Sequence, residues 1–295
     1  MQTKTRLFTD LNLKKNWWRI LFLSVMAILI VEQGHAIDAT PLPIGVLPFS
    51  SFSKAYGEIG MRVYIAIWFL LVFCCMSVTF LIAEKWMKGS KLVKGLVFGA
   101  SWGMIYLMGV IEWYPVFGKT SLIADIRLGM VDVLGIIVLG ILSGEFLASD
   151  GRSGKSDTKN SGIVILLITA AYVVGKYFAY SILGIVSGYV ERSAETFIWT
   201  LLTGIAFGIF YILVGRNTGE KNPIKRAAVF GLAIVGPNWL IFNLFFPGIF
   251  QGSFMDFILG RSIVDTVFAA LGAYLGERLA SRKSKSFDVS MRPTA

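Results

Sequence analysis

Three ionisable residues stand where an ionisable residue is expensive. Lys176, Asp132 and Asp265 each fall inside a run of apolar residues. A charge at the centre of a bilayer costs about 2.5–3.5 kcal/mol on insertion scales, so such a group faces protein or water and marks a candidate site. Lys176 lies about thirteen residues into its run, Asp132 about six into its own and Asp265 about ten. At ~1.5 Å per residue, with the chain direction alternating from run to run, the three reach a similar depth. Arg261 precedes Asp265 by four residues, the spacing at which two side chains meet on one helix face. Asn238 and Asn243 in the neighbouring run, and Glu112, can extend a polar lining. Read together, these residues are a binding site for an ion, a proton or a charged solute, open to the outside. Two other chemistries use the same residues: a buried ion-pair lock, or a Lys176 that snorkels to the interface beside Tyr177 and Tyr180.

Other chemistries find no residues to carry them. Cys74 and Cys75 are adjacent in an apolar run and read as two small buried hydrophobes, with no disulfide framework and no metal-ligand spacing. The single histidine, His35, follows the first run and reads as a loop residue, which leaves an imidazole metal site or triad without material. Gly154-Lys155-Ser156 ends like a phosphate-binding loop, but Ser149 stands where that motif needs its first glycine and no strand precedes it. No cofactor is expected.

The elements that must position the charged residues are membrane helices. The 295-residue chain is 55% hydrophobic and 16% charged, with a mean hydropathy of +0.69, against roughly 25% charged in soluble domains. Apolar runs near 17–33, 62–83, 95–114, 126–148, 162–189, 196–215, 227–250 and 254–279 approach or exceed the ~20 residues that cross a bilayer. The first is short and resembles a signal peptide, but reads better as an uncleaved span. The net charge of +10 does not point to nucleic acid, because it is confined to the segments between runs. Lys85, Lys88, Lys91 and Lys94, then Arg152, Lys155 and Lys159, then Arg216, Lys221, Lys225 and Arg226, and both terminal segments all fall on one side of an eight-span protein. The positive-inside rule makes that side cytoplasmic, with both termini there. The chain therefore reads as an all-α, multi-pass protein of the cell membrane, whose partners are the lipid bilayer and a second copy or a membrane complex.

A repeat organises the runs. Residues 139–149 recur at 271–281, a spacing of 132 that also matches Val97-Phe98-Gly99 with Val229-Phe230-Gly231 and Pro115 with Pro247. Asp125 pairs with Asp256 and Asp132 with Asp265 within one residue of it. Four spans separate equivalent positions, so two four-helix repeats, 1–150 and 151–281, share one orientation in the membrane. A basic tail, 282–295, reads as disordered. Glycines four apart occur at Gly99/Gly103, Gly140/Gly144, Gly184/Gly188, Gly204/Gly208 and Gly272/Gly276. The pairs in the fourth and eighth runs recur with the repeat and read as close-packing faces.

The repeat and the charged cluster favour a small-solute or ion permease. An accessory or structural subunit of a membrane complex, and a membrane-embedded enzyme or flippase acting on lipid-linked substrates, are the alternatives. The topology is testable directly. In a background lacking Cys74 and Cys75, Ser156→Cys and Arg282→Cys are expected to react with an impermeant maleimide only from the cytoplasm. Lys119→Cys and Gly252→Cys are expected to react only from outside, and labelling of 156 and 282 from opposite sides ends the parallel arrangement.

Overall fold

The computed structural model describes residues 13–38, 51–118, 120–149, 160–218, 220 and 222–290. The segment with Pro41, Pro43 and Pro48, Lys119 and the loop 154–156 lie outside these residues. Among the described residues the protein is helical, apart from a single bridge between Phe52 and Phe250. Eight helices are long and apolar enough to cross a bilayer: Leu13–Asp38, Met61–Ala83, Lys91–Val116, Leu122–Leu147, Ser161–Ser181, Ser193–Gly215, Pro223–Ile249 and Met255–Ser281. Helix is the form that lets a spanning segment satisfy its own backbone in hydrocarbon. Local sequence sets several starts. Ser90 accepts a hydrogen bond from the Val93 N–H at the third span, and Asn222 accepts one from Ile224, with Pro223 at the first helical position, at the seventh.

Three boundaries differ from the sequence reading. The first helix continues through Gly34 and His35 to Asp38, so His35 is a helical residue. The fifth ends at Ser181, and the rest of the run expected to reach 189 forms turns, with Gly184 at φ +64°. Gly184 and Gly188 are therefore loop residues rather than a helix face. That loop is held down by side chains of other spans, since Val186 donates its N–H to Asp256 and accepts from Arg261. At the carboxyl end, the tail expected to be disordered from 282 is helical as far as Ser290.

The third and seventh spans each break near the carboxyl-terminal end. The third is interrupted at Glu112 and the seventh at Leu244, each three residues before a proline, Pro115 and Pro247. Proline removes one i→i−4 hydrogen bond and clashes with the preceding turn, so it bends the helix there. The eighth span opens as a π-helix, Met255–Ile263, and π segments also occur at Tyr211–Gly215 and Val229–Val235.

The two glycine pairs pack on different partners. A Cβ on Gly140 would stand 2.7 Å from Gly99 Cα, and one on Gly144 would stand 2.9 Å from Gly95 Cα, so the fourth span lies against the third backbone to backbone. Gly272 and Gly276 meet the fifth span instead, with the added Cβ 2.6 Å from Ile168 Cα and 3.0 Å from Val164 Cα. Backbone cannot yield as a flexible side chain can. Gly140→Ala is expected to destabilise the protein by ~1–3 kcal/mol, the range for overpacking, while Gly162→Ala, where a Cβ meets nothing within 4 Å, is expected to be neutral. Gly129→Ala meets the end of the Leu107 side chain at 2.7 Å and is expected to fall between them. Thermal midpoints by fluorescence-detected size exclusion measure the order.

Candidate functional site

The charged residues form two sites. The first is a closed network built on the fifth to eighth spans and completed by Glu112 of the third. Lys176 is 0% exposed and does not snorkel. Its Nζ lies 3.0 Å from Asp265 Oδ2 and 3.4 Å from Glu112 Oε1. The same Asp265 oxygen accepts from the Tyr172 hydroxyl at 3.2 Å and the Trp239 indole at 3.1 Å. Trp199 covers the ammonium with its ring, the centroid 5.1 Å away. Gly175 allows this approach, because a Cβ there would be 2.5 Å from the Phe268 ring.

Arg261 belongs to the same network but not through the i,i+4 contact with Asp265. It pairs with Glu112 at 3.2 Å and with Asp256, five residues earlier on its own helix. The π-helix is the reason. Its i→i+5 winding aligns residues five apart rather than four. Glu112, at the break in the third span, thus holds both Lys176 and Arg261, linking the first four spans to the last four.

Asp132 lies elsewhere. Its Oδ1 accepts a hydrogen bond from His35 Nε2 at 2.9 Å, at the outer end of the first span. The pair faces a cavity of about 190 Å³ between the first, second, third, fourth and seventh spans. Two exposed charged residues also line it, Arg62 at the start of the second span and Glu32 nearly a turn before His35 on the first. Asp132 lies ten residues in from Leu122 and Tyr106 ten in from Val116, ~15 Å along their helices. Tyr106 is 2% exposed and its hydroxyl has no hydrogen-bond partner. Aromatic rings supply most of the remaining wall. Trp113, Phe242 and Phe246 line this cavity and also a small gap of about 10 Å³ that touches Glu112 and Arg261. Those three rings stand between the open cavity and the closed network.

The two asparagines make their bonds elsewhere. Asn238 donates to Thr79 Oγ1 at 2.6 Å, joining the seventh span to the second, and Asn243 donates to the Trp239 carbonyl at 2.9 Å within its own helix while lining the small gap beside Glu112 and Arg261. Glu277, on the opposite side of the membrane, accepts from Arg216 at 2.7 Å and Arg226 at 2.6 Å, and Glu84 there pairs with Lys94 at 2.9 Å. Sequence reasoning missed His35, Glu32, Tyr106 and Trp68 as cavity residues. A signal was available for His35: Gly34-His35 occurs in the first run as Gly175-Lys176 does in the fifth, each with an aspartate to meet. Among the described residues, no three His, Cys, Asp or Glu groups converge on a metal-binding geometry.

The pairings predict which double substitution rescues. Breaking one partner of a buried ion pair costs ~3–5 kcal/mol, because the other charge is left uncompensated. Lys176→Met is expected to lower the folded yield, and Lys176→Met with Asp265→Asn to recover much of it. Lys176→Met with Asp132→Asn is expected to give no recovery, since Asp132 belongs to His35. Equal recovery by both aspartate changes, measured as monodisperse protein after extraction, would contradict the two-site arrangement.

Comparison with protein-family models, with curated proteins and with solved structures returns no match for this chain.

Proposed function

We propose that this protein is a small-solute permease whose working site is the His35–Asp132 cavity, built from two parallel four-span halves, 1–150 and 151–281, with both termini cytoplasmic. The observation that carries the reading is the cavity itself. Its lining runs from the exposed Arg62, at the start of the second span, to the buried Asp132, ten residues into the fourth, which pairs with His35. A structural subunit has no need of such a cavity. The side on which it opens is the side poor in basic residues, the outside under the positive-inside rule.

Several matched features support the two halves. At the 132-residue spacing Glu84 corresponds to Arg216 and Lys94 to Arg226. All four are in ion pairs at the basic side, within their own half: Glu84 with Lys94, and both arginines with Glu277. The helix breaks at Glu112 and Leu244 also correspond. Asp125 and Asp132 are seven residues apart, Asp256 and Asp265 nine. The second pair brackets the π-helix, whose turns each take roughly one residue more than an α-helical turn. Two turns thus absorb the two extra residues. Each half carries its own ionic clasp at the basic side, and rocking of the halves about the Glu112 tie that joins them supplies alternating access.

An accessory-subunit reading draws on the closed Lys176 network, which is built as a lock. Accessibility separates the two. Leu128 lines the cavity. In a protein lacking Cys74 and Cys75, Leu128→Cys is expected to react with an impermeant maleimide quickly from outside and slowly, but completely, from the cytoplasm in inverted vesicles. Reaction from one side alone overturns the permease and leaves the lock.

A further inference from the structure

We propose that the cavity binds a small organic ammonium ion: one protonated amine on an apolar body about the size of a single aromatic ring. This rests on the reading of the cavity as the working site and adds the chemical class of its occupant. The deep end holds a single carboxylate, Asp132, of which one oxygen is bonded to His35 and no other bond is made among the described residues. The second oxygen is thus left to a ligand. On the same cavity wall the buried Tyr106 hydroxyl has no partner, and a hydroxyl oxygen accepts an N–H as readily as it donates. A buried polar atom left unmatched is costly, so these two oxygens define what the ligand must bring: hydrogen-bond donors and positive charge.

The rest of the wall agrees. Trp68, Tyr106, Trp113, Phe242, Phe245 and Phe246 surround the space. Neighbouring rings are steeply inclined, Tyr106 to Phe242 at 74°, Trp113 to Phe246 at 69° and Phe245 to Phe246 at 89°. Such an arrangement presents ring faces as well as edges, and faces attract a cation. An anion finds a worse environment. Of the two basic groups that line the cavity, Arg62 is exposed and His35 is engaged by Asp132, while Glu32 adds a second carboxylate to the lining. A neutral ligand brings donors but no charge to Asp132. The volume, about 190 Å³, compares with the ~150 Å³ of an apolar cavity that takes up benzene, which limits the body to one ring with a short arm.

Phenethylammonium, phenethyl alcohol and 3-phenylpropionate share a body and differ in charge. Isothermal titration of the purified full-length protein in nanodiscs is expected to give saturable binding of the ammonium, at least tenfold tighter than the alcohol, and none of the propionate. Asp132→Asn is expected to bring the ammonium down to the affinity of the alcohol. Tyr106→Phe keeps the ring and is expected to weaken the ammonium several-fold, which serves as the test should Asp132→Asn not fold. Equal affinity for ammonium and alcohol, tighter binding of the propionate, no saturable binding, or an ammonium affinity untouched by Tyr106→Phe overturns the assignment. Selective ammonium binding with one-sided labelling at Leu128 removes transport and keeps the ligand class. Two-sided labelling without ammonium selectivity does the reverse.

Discussion

The interaction on which the structure depends is the grip of Glu112 on Lys176 and Arg261. In a hydrocarbon core each of these charges alone is prohibitive, and together they tie the third, fifth and eighth spans into one block. The grip requires Glu112 to reach inward from the outer end of its helix, and the break before Pro115 is where it does so. It requires Arg261 to face both Glu112 and Asp256, which the π-helix arranges. The same arginine and Asp256 hold the backbone of Val186, so the turns after the fifth span are ordered by the network too. Further contacts between the two groups of four spans run through indole and phenol donors to main-chain carbonyls, Trp68 to Ile241, Tyr64 to Leu244 and Phe245, and Trp199 to Met108. These contacts place uncharged donors against backbone and add no buried charge of their own.

Against that closed block the cavity stands out by what it lacks. Its wall is aromatic rather than ionic, and its one deep charge is shared with an imidazole rather than a lysine. The separation of the two sites by Trp113, Phe242 and Phe246 matters for the proposed function. A ligand beside Asp132 does not compete with the ion pairs that hold the spans together, so binding and folding draw on different charges.

The sequence makes the architecture legible where physics is coarse. Eight apolar runs give eight spans, and Lys176 and Asp265 stand out because a charge in hydrocarbon needs a partner; the two lie 3.0 Å apart. It fails where register decides. The first apolar run stops near residue 33 by composition, so His35 looks like loop, yet one further helical turn brings it to Asp132. Arg261 and Asp265 have helical spacing in an α-helix, and nothing local announces the π winding that redirects Arg261 to Asp256. The long run at 162–189 hides a stop, because Gly184 turns the chain in the left-handed region where glycine carries no steric cost. The cavity is the least legible part. Trp68, Phe242 and Phe245 look the same in sequence whether they fill a core or leave a space.

On the two-half reading, the contrast between cavity and lock comes down to two substitutions at matched places. Glycine precedes both His35 and Lys176, and in each case a neighbouring side chain packs against it, Val131 in one half and Phe268 in the other. Each then meets an aspartate of the last span in its half. Lysine is long and its ammonium carries three donors, with room for more than one acceptor; it draws in Asp265 and, across the halves, Glu112. Imidazole is short and is satisfied by the one carboxylate. At the position matching Glu112 the seventh span carries Leu244, and its neighbours Phe242, Phe245 and Phe246 face the cavity with rings. No carboxylate crosses to close the space, so the half with histidine keeps a cavity and the half with lysine closes into a lock.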